Sequence, residues 1–387
     1  MPENWNPFVN SNVETTLDIE LLKSEVGQRF PFYDMRFNAD TAAFYCRIDE
    51  SSLEQNFDNL RRSLSEKGYI PILKYEKGEH IIFIKKKPKR KERPVWINYL
   101  LLISVLITTI ITGSIIYMGD FAIWDPDIGL LLDPMDIFKL ENLFFGAVLF
   151  ALPLMAILIT HEMGHYFISK KHGIATSLPF FIPIPPILPS FNIGTFGALI
   201  SSRDPMPNKK ALFDVGIAGP LAGFLVAIPV TIIGIIIADP IQNITSIEQI
   251  APGETVFGSS LLIDFLVGAL RDLPQGYTID MNPVLFAGWV GLLITSINLL
   301  PAGQLDGGHV FRAVLGKKQR YAGWIAIAIM IFTGWFFFAF IIIFLMGTMH
   351  PPPLNDDTAI DRKRQLLFFV AIAILLLSFI PYPIYVG

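Results

Sequence analysis

The sequence predicts an α-helical membrane protein with about six transmembrane helices, preceded by a small soluble α+β domain. Two observations carry this prediction. The chain is 52% hydrophobic with 17% charged residues, its mean hydropathy is +0.50, and its apolar stretches are long enough to cross a hydrocarbon core of about 30 Å. The first 94 residues instead have an ordinary soluble composition. We therefore expect two domains, residues 1–94 and 95–387.

The N-terminal domain is expected to be a small α+β unit on the cytosolic side. Residue periodicity and turn signals predict its elements. In chain order these are a strand at Ala42–Ile48, an amphipathic helix at Ser51–Lys67 and a hairpin formed by Tyr69–Tyr75 and His80–Lys85, turning at Lys77-Gly78. Such a fold permits no functional inference by itself, so a packing or regulatory module is the default interpretation.

The membrane part begins at Trp96. Six apolar stretches have roughly the 20 residues that a helix needs to cross a bilayer. These predicted spans are 96–118, 143–170, 211–238, 284–302, 321–347 and 365–386. Glycine and proline within them are compatible with membrane helices.

Basic residues predict the orientation, because cytoplasmic segments of membrane proteins are enriched in Lys and Arg. With the N-terminus inside, the inner segments hold the block 85–93, Lys170, Lys171, Arg203, Lys209, Lys210, Arg312, Lys317, Lys318 and Arg320, and the outer loops hold mainly Asp120, Asp125, Asp127, Asp133 and Asp136. Arg362-Lys363-Arg364 is an exception that falls outside. We expect both termini to be cytoplasmic. The block 85–93 abuts the first span, which favours an orientation signal over a nucleic-acid site.

The N-terminal residues do not resemble a targeting peptide. The first twenty residues contain Glu3, Glu14, Asp18 and Glu20 and no Lys or Arg, whereas transit peptides are basic and poor in acids. This favours a prokaryotic cell membrane over an organelle. The single Cys46 excludes an intrachain disulfide.

Two apolar segments are not expected to span. Residues 178–200 contain five prolines, which forbid a continuous helix. Irregular backbone at membrane depth requires protein or water partners, so we expect a re-entrant loop or hairpin that lines a cavity, with a short strand in Phe191–Ile200. Residues 256–270 are too short to span and are expected at the outer interface.

A metal-site motif, His161-Glu162-Met163-Gly164-His165, directly follows an apolar stretch without a charge. Residues four apart share a face of a helix, so both imidazoles can bind one Zn²⁺ while Glu162 reaches its bound water. A five-residue motif also occurs by chance. Here, however, each ionisable group costs roughly 2.5–3.5 kcal/mol to insert, and a metal offsets that cost.

Asp306 is the predicted third ligand. If both segments are helical, His161 lies about 27 Å and Asp306 about 33 Å from the outer surface, so both reach the inner side of the core. Pro301 and Gly303 would unwind the chain and aim the carboxylate at the histidines. The alternative is a surface turn capped by Asp and Gly. We expect surface or interfacial roles for His172, His309 and His350, and we attribute Gly216–Gly223 to close helix packing alone.

Together, HEMGH in a membrane span, NLLPAGQLDGG at 298–308 and GIAGPLAG at 216–223 resemble the site-2 protease family of intramembrane zinc metalloproteases. The resemblance covers roughly residues 140–315. Residues 176–183 and 212–216 are most similar to the subgroup that includes the chloroplast EGY-type proteins. The family pattern implies His161, His165 and Asp306 as zinc ligands, Glu162 as catalytic acid and base, and Asn298 as the residue that orients or polarises the substrate carbonyl. Many members also carry a PDZ or CBS domain, which this sequence lacks.

The expected activity is hydrolysis of peptide bonds within or near transmembrane helices of membrane-protein substrates. Zinc keeps an open position for water and lowers its pKa towards 7, and Glu162 removes and later returns a proton. An unwound substrate could add to the edge of the strand in Phe191–Ile200. A metal transporter and a catalytically silent scaffold are the alternatives, and Glu162 argues against both. The substrate, the cleavage position and the oligomeric state stay open, a homo-oligomer included.

Overall fold

The computed structural model describes residues 17–88, 94–119, 124–125, 129–130, 133–185, 193–200, 204–242 and 255–386. Several features used above lie outside these residues, namely Glu3, Glu14, 89–93, Asp120, Asp127, Phe191 and Arg203. The chain divides into two units. The first consists of Met1–Glu92, Pro205–Leu212 and Pro351–Asp361, and the second of Arg93–Asp204, Phe213–His350 and Arg362–Gly387.

The first unit is built on a four-stranded antiparallel sheet with two helices. Its elements are α1 (Ile19–Gly27), β1 (Phe32–Phe37), β2 (Thr41–Cys46), α2 (Glu50–Glu66), β3 (Tyr69–Glu76) and β4 (Glu79–Lys86), and the strand order is β1-β2-β4-β3. Asp49 caps α2 by accepting from Ser51 N. The β3–β4 turn has positive φ at Lys77 (52°) and Gly78 (86°), as a two-residue hairpin requires. Sequence periodicity did not predict α1 and β1.

The core of the first unit lies between the helices and one face of the sheet. It contains Leu22, Phe44, Leu60 and Ile82, all fully buried. The outer edge of β3 is covered by the chain's own later segment, because Leu73 N donates to Leu354 O at 2.8 Å. Leu354 N in turn donates to Met206 O at 2.8 Å. These bonds bring three distant parts of the sequence into one unit.

The second unit is mainly helical. In chain order, its larger elements are α3 (Trp96–Tyr117), β5 (Trp124–Asp125), β6 (Gly129–Leu130), α4 (Pro134–Ile137), α5 (Leu140–Gly146), a π-helical turn (Ala147–Ala151), α6 (Leu152–Lys171), β7 (Phe180–Pro183), β8 (Thr195–Leu199), α7 (Lys209–Ile237, which begins in the first unit), β9 (Pro240–Gln242), β10 (Thr255–Phe257), α8 (Leu261–Leu270), β11 (Tyr277–Ile279), α9 (Pro283–Leu299), α10 (Asp306–Leu315), a 3-10 turn (Gly316–Lys318), α11 (Gln319–Phe332), α12 (Phe336–Ile341), a second π-helical turn (Ile342–Met346), α13 (Arg362–Ser378) and β12 (Ile384–Val386).

Three helices of the described chain are long and apolar enough to cross a membrane. They are Trp96–Tyr117, Leu140–Lys171 and Lys209–Ile237. Two further predicted spans form shorter helices of 17 residues each, α9 and α13. The chain is therefore a helical membrane protein with a small N-terminal sheet domain, and the count of six spans stays a prediction.

The prediction of one continuous span over 321–347 is wrong. The segment breaks between Phe332 and Phe336, where Gly334 has φ +82°. Its two arms form a helical hairpin, so the end of the second arm lies beside the start of the first. The return is fixed by Gln319 at the start of α11, whose side chain bonds Thr348 O at 3.2 Å. An apolar run of this length is compatible with either arrangement, because its composition says nothing about a left-handed glycine in the middle.

Because of this hairpin, α13 begins at a different end of the helix bundle from the one predicted. Arg364, at the start of α13, bonds Asp214 near the start of α7, and His172 after α6 bonds the same carboxylate. We call this end of the bundle the His172 end. α3 begins there too, since Asn98 donates to Leu178 O and Pro179 O, six and seven residues after His172.

The last strand lies at the opposite end of the bundle. β12 pairs with β10, which follows α7, and Trp289 in the first half of α9 donates to Gly258 O beside β10. The chain thus enters and leaves the second unit at opposite ends, and the side of the membrane on which each terminus lies stays a prediction. His350 lies beside the start of α11, because its backbone N–H donates to Gln319 Oε1 at 3.1 Å.

The proline-rich segment forms an antiparallel hairpin. β7 pairs with β8 in the register Phe180↔Leu199 and Pro183↔Thr195, with an irregularity between. The strand predicted in Phe191–Ile200 is present as Thr195–Leu199, and its membrane depth stays a prediction. Thr108 on α3 donates to Gly194 O at 2.7 Å, so α3 contacts both ends of the hairpin.

Candidate metal centre

The predicted histidines lie on one face of α6. His161 and His165 are one turn apart, their Nε2 atoms are 3.2 Å apart, and both side chains are buried. The ring of His165 is oriented by its other nitrogen, because Nδ1–H donates to Val215 O on α7 at 2.8 Å. A bond of this kind fixes the tautomer and leaves Nε2 free for a ligand.

Asp306 completes the cluster from another part of the chain. Its Oδ2 lies 3.2 Å from His165 Nε2 and 3.3 Å from His161 Nε2. It is the first residue of α10 and follows a tight turn that begins where α9 ends at Leu299. The structure therefore brings together the three residues that matched depth had predicted to meet.

The two glycines after Asp306 make this turn possible. A Cβ on Gly307 would lie 2.0 Å from Leu299 O, and a Cβ on Gly308 would lie 2.4 Å from Gly303 O. Gly303 itself has φ +55°. Because any side chain would collide with these carbonyls, the start of α10 can fold back on the end of α9 only with glycine at both positions.

The donor set fits a tetrahedral metal ion. Two imidazoles and a carboxylate are a ligand combination that zinc accepts, and ligand atoms about 2.0–2.1 Å from a tetrahedral ion are about 3.3 Å from each other. The three atoms here are 3.2–3.3 Å apart. His161, His165 and Asp306 form the group of three that could hold a metal among the described residues.

The other two predicted site residues lie beside this cluster. Glu162 is buried, at 8% exposure, and directly follows the first histidine on α6. Asn298 is on the last turn of α9, with its Nδ2 at 3.4 Å from His161 Nε2. The structure thus gathers all five predicted residues in one place.

The small residues of α7 were predicted to serve packing alone, and the structure gives them a more specific position. A Cβ on Gly219 would lie 2.0 Å from His165 Nε2, and a Cβ on Gly223 would lie 3.2 Å from His161 Cβ. Gly164 on α6 is similarly closed off by Ala218 O at 2.5 Å. The histidine rings therefore occupy the space that side chains on α7 would fill. The spacing of the glycines alone did not predict that α7 would pack against the rings of His161 and His165.

The remaining histidines lie outside the cluster. His172 bonds Asp214 at 2.9 Å. His309 and His350 pack edge to face, with ring centroids 4.2 Å apart, and His350 is buried rather than on a surface. The predicted surface or interfacial position of His350 is therefore wrong.

Comparison with known proteins identifies the class. The model of "Peptidase family M50" matches residues 149–342, which is half of the chain and includes the whole cluster. The chain belongs to this peptidase family, and the resemblance to site-2 proteases stated from the motifs is confirmed.

The chain is also similar to several plant proteins. These include "Probable zinc metalloprotease EGY1, chloroplastic" of Oryza sativa subsp. japonica (28% identical, 66% of this chain and 43% of the relative), EGY2 of Arabidopsis thaliana (31%, 62% and 42%) and EGY2 of Oryza sativa subsp. indica (32%, 63% and 44%). The chain spans less than half the length of each of these relatives. No solved structure matches it.

Proposed function

We propose that this chain is an intramembrane zinc metalloendopeptidase of the site-2 protease type, which hydrolyses peptide bonds within or near transmembrane helices of membrane-protein substrates. The observation that carries the proposal is the group His161, His165 and Asp306, in which both histidines and the adjacent Glu162 belong to the long apolar helix Leu140–Lys171. Membership of a peptidase family and similarity to proteins named zinc metalloproteases support the same conclusion.

In this proposal His161, His165 and Asp306 hold one Zn²⁺ through Nε2, Nε2 and Oδ2. When bound, the ion supplies Lewis acidity and lowers the pKa of water at its open position. Gly219 and Val215 keep the His165 ring in the ligand orientation.

Glu162 is the proposed proton carrier. Its carboxylate accepts a proton from the attacking water and returns it to the leaving amine, so that the same group serves as base and then as acid. Its position on α6, one residue from His161, allows this without making it a ligand. Asn298 is proposed to donate from its amide to the substrate carbonyl, because it lies beside His161 at the end of α9.

Strand β8 is proposed to hold the unwound substrate. A peptide bond within a helix is shielded, so an extended segment must form before cleavage, and a free strand edge can bind it by main-chain hydrogen bonds. β8 pairs with β7 along one edge and packs next to α6. Phe196 and Leu199 on β8 are 76% and 63% exposed and would contact the substrate's side chains.

We further propose that the His172 end of the bundle faces the cytoplasm, in a cell membrane. Lys170, Lys171 and Arg364 all lie at this end, so the run Arg362–Arg364 no longer violates the charge rule. The N-terminal domain, residues 1–94, would then be cytosolic and the C-terminus would face outwards. Labelling of single-cysteine variants made in a Cys46→Ala background tests this. Arg362→Cys should react from the inner side, and reaction from outside would contradict the proposed orientation.

The central experiment compares wild type with Glu162→Gln after reconstitution with a single-span test substrate. Glutamine preserves shape but removes the base, so cleavage should fall at least about 10²-fold while bound zinc stays near one per chain. Equal cleavage by both forms would exclude the proposed role of Glu162. A wild type that never cuts helix-destabilised substrates yet moves zinc across liposomes would identify a transporter, which has no use for a non-ligand acid beside its metal.

A further inference from the structure

We propose that Gln319 is a positioning residue of the metal centre, acting through the turn that carries Asn298 and Asp306. The inference concerns metal affinity, and it rests on the proposed function only for its effect on cleavage. It also assigns a role to the α11–α12 hairpin, whose two arms were predicted to be a single ordinary span.

Gln319 is completely buried and its amide binds three backbone groups. Its Nε2 donates to Pro301 O at 2.8 Å and to Thr348 O at 3.2 Å. Its Oε1 accepts from His350 N at 3.1 Å. A buried amide must be paired to avoid a desolvation penalty, and here both of its donors and its acceptor are used. One side chain therefore ties the start of α11 to two separate loops.

The first of these loops is the turn at the metal centre. Pro301 lies three residues after Asn298 and five before Asp306, in a stretch that belongs to neither α9 nor α10. Proline cannot donate a backbone bond, so this part of the turn depends on its carbonyls for anchoring. The bond from Gln319 supplies such an anchor between the two functional residues.

A second contact from the same helix reaches the same place. Gly323 lies one turn after Gln319, and a Cβ there would be 2.9 Å from Thr348 O and 3.0 Å from Pro301 O. Apolar packing continues this contact along the hairpin. Leu300 and Ala302 of the turn belong to one buried cluster with Ala326, Ile327, Met330, Trp335, Ala339 and Ile342 of the hairpin. The turn that carries Asn298 and Asp306 thus packs against the α11–α12 hairpin.

The two halves of the metal centre are therefore supported differently. His161 and His165 belong to a long helix with its own main-chain bonds, whereas Asp306 depends on a turn held by Gln319. Loss of the amide should leave the histidines in place and let the carboxylate move. Zinc binding should then weaken without being abolished, which differs from the loss of a ligand.

The test measures zinc affinity of the full-length, detergent-purified chain by competition with a chromophoric chelator. Gln319→Met keeps the side chain's length and removes its hydrogen bonds, and we expect affinity at least about tenfold below wild type. Gln319→Asn retains the amide but retracts it by one methylene, and should fall between the two. Asn98→Leu is the matched control, because it also removes a buried side-chain amide that donates to two backbone carbonyls, Leu178 O and Pro179 O at 2.9 Å each, but on α3.

If Gln319→Met weakens zinc binding no more than Asn98→Leu does, the inference is overturned. Should Gln319→Met fail to fold, Gly323→Ala supplies an independent variant, since it presses on the same two carbonyls while leaving Gln319 intact. Wild-type affinity in both Gly323→Ala and Gln319→Asn would also overturn the proposal. Excess zinc should restore cleavage in Gln319→Met but not in Asp306→Ala.

The measurement separates the two proposals of this section and the preceding one, because chelator competition needs no substrate. A wild type that binds zinc tightly, a Gln319→Met variant that binds it weakly and no cleavage by either would support the positioning role and refute the protease.

Discussion

Two clusters of histidine and aspartate take their histidines from α6 and its C-cap and differ in what balances the carboxylate. In the first, Asp306 meets the Nε2 atoms of His161 and His165 at 3.2–3.3 Å. In the second, Asp214 Oδ2 meets His172 at 2.9 Å, and Arg364 donates to both carboxylate oxygens, Oδ1 at 2.7 Å and Oδ2 at 2.5 Å. His165 and His172 are only two turns apart on α6 and its C-cap.

The difference separates a group of side chains suited to a metal ion from an ion pair that is complete by itself. A guanidinium satisfies both carboxylate oxygens in a fork and carries a permanent charge, so the Asp214 cluster needs nothing further. Neutral imidazoles carry no charge, so a buried carboxylate among them is costly unless a cation joins it. Residue types alone would not separate these clusters, whereas the presence or absence of the arginine does.

The largest expected contrast is in bound zinc. His161→Ala removes a ligand, so zinc should fall from about one per chain to background and cleavage should be lost. His172→Ala removes a partner of an already balanced carboxylate, so zinc and most activity should remain. Metal analysis of the two purified variants beside wild type measures this. If His172→Ala lost as much zinc as His161→Ala, the two clusters could not be distinguished in this way.

The residues of these two clusters show how much of the site could be predicted from the sequence. The four-residue spacing of His161 and His165 and the depth of Asp306 were sufficient to predict the first cluster, because helical geometry relates residue number to position. Arg364 contradicted the rule that Lys and Arg are enriched on the cytoplasmic side, because the composition of an apolar run of 27 residues does not indicate the break at Gly334. Contacts made by chain reversal, such as Arg364 with Asp214 or Gln319 with Thr348, depend on that break and could not be derived from local pattern.

The next contrast uses the glycines of α7 beside the metal cluster. Gly219→Ala would place a methyl group 2.0 Å from His165 Nε2, so either the ring or the helix must move. We expect zinc affinity to fall at least about tenfold, the usual size of such effects near a metal site. Gly223→Ala is the matched control, since its nearest contact is 3.2 Å and a small shift accommodates it. Chelator competition on both variants decides, and equal affinities would show that the close approach has no effect on the ligands.

A smaller effect, on stability and not on metal, is expected at the second cluster. Arg364→Met leaves Asp214 with His172 as its remaining ion-pair partner. Breaking a fully buried pair costs about 3–5 kcal/mol, and these side chains are about a fifth exposed, so roughly 1–3 kcal/mol is expected. Thermal unfolding in detergent should report it, with zinc content unchanged. In a double-mutant cycle the added loss from Asp214→Asn should be small, and full additivity would mean that the two residues do not interact.

The smallest expected effect concerns Glu25, a carboxylate of the first unit. Its charge, like that of Asp214, is balanced by cationic side chains. Glu25 on α1 bonds Lys67 and Arg29, the latter at 2.8 Å, and accepts from Ser63 Oγ at 2.7 Å. The hydrogen bond from Lys67, with those from Ser63 and Arg29, outweighs burial and lowers the pKa of Glu25 from 4.5 to about 2. A lowered native pKa means that the stabilisation is present above about pH 4.5 and is lost as the pH falls towards 2.

Because Lys67 is 37% exposed and partly screened, the contribution should be about 1–2 kcal/mol rather than the 3 kcal/mol or so that the full shift would imply. Hydrogen exchange of α1 and α2 in the full-length protein measures it. Glu25→Gln should exchange faster than wild type at pH 7, and the difference should shrink as the pH falls below 4.5 towards 2, while zinc content at pH 7 stays equal. A difference that persists undiminished at pH 3 would mean that glutamine disturbs packing and that the charge of Glu25 contributes nothing.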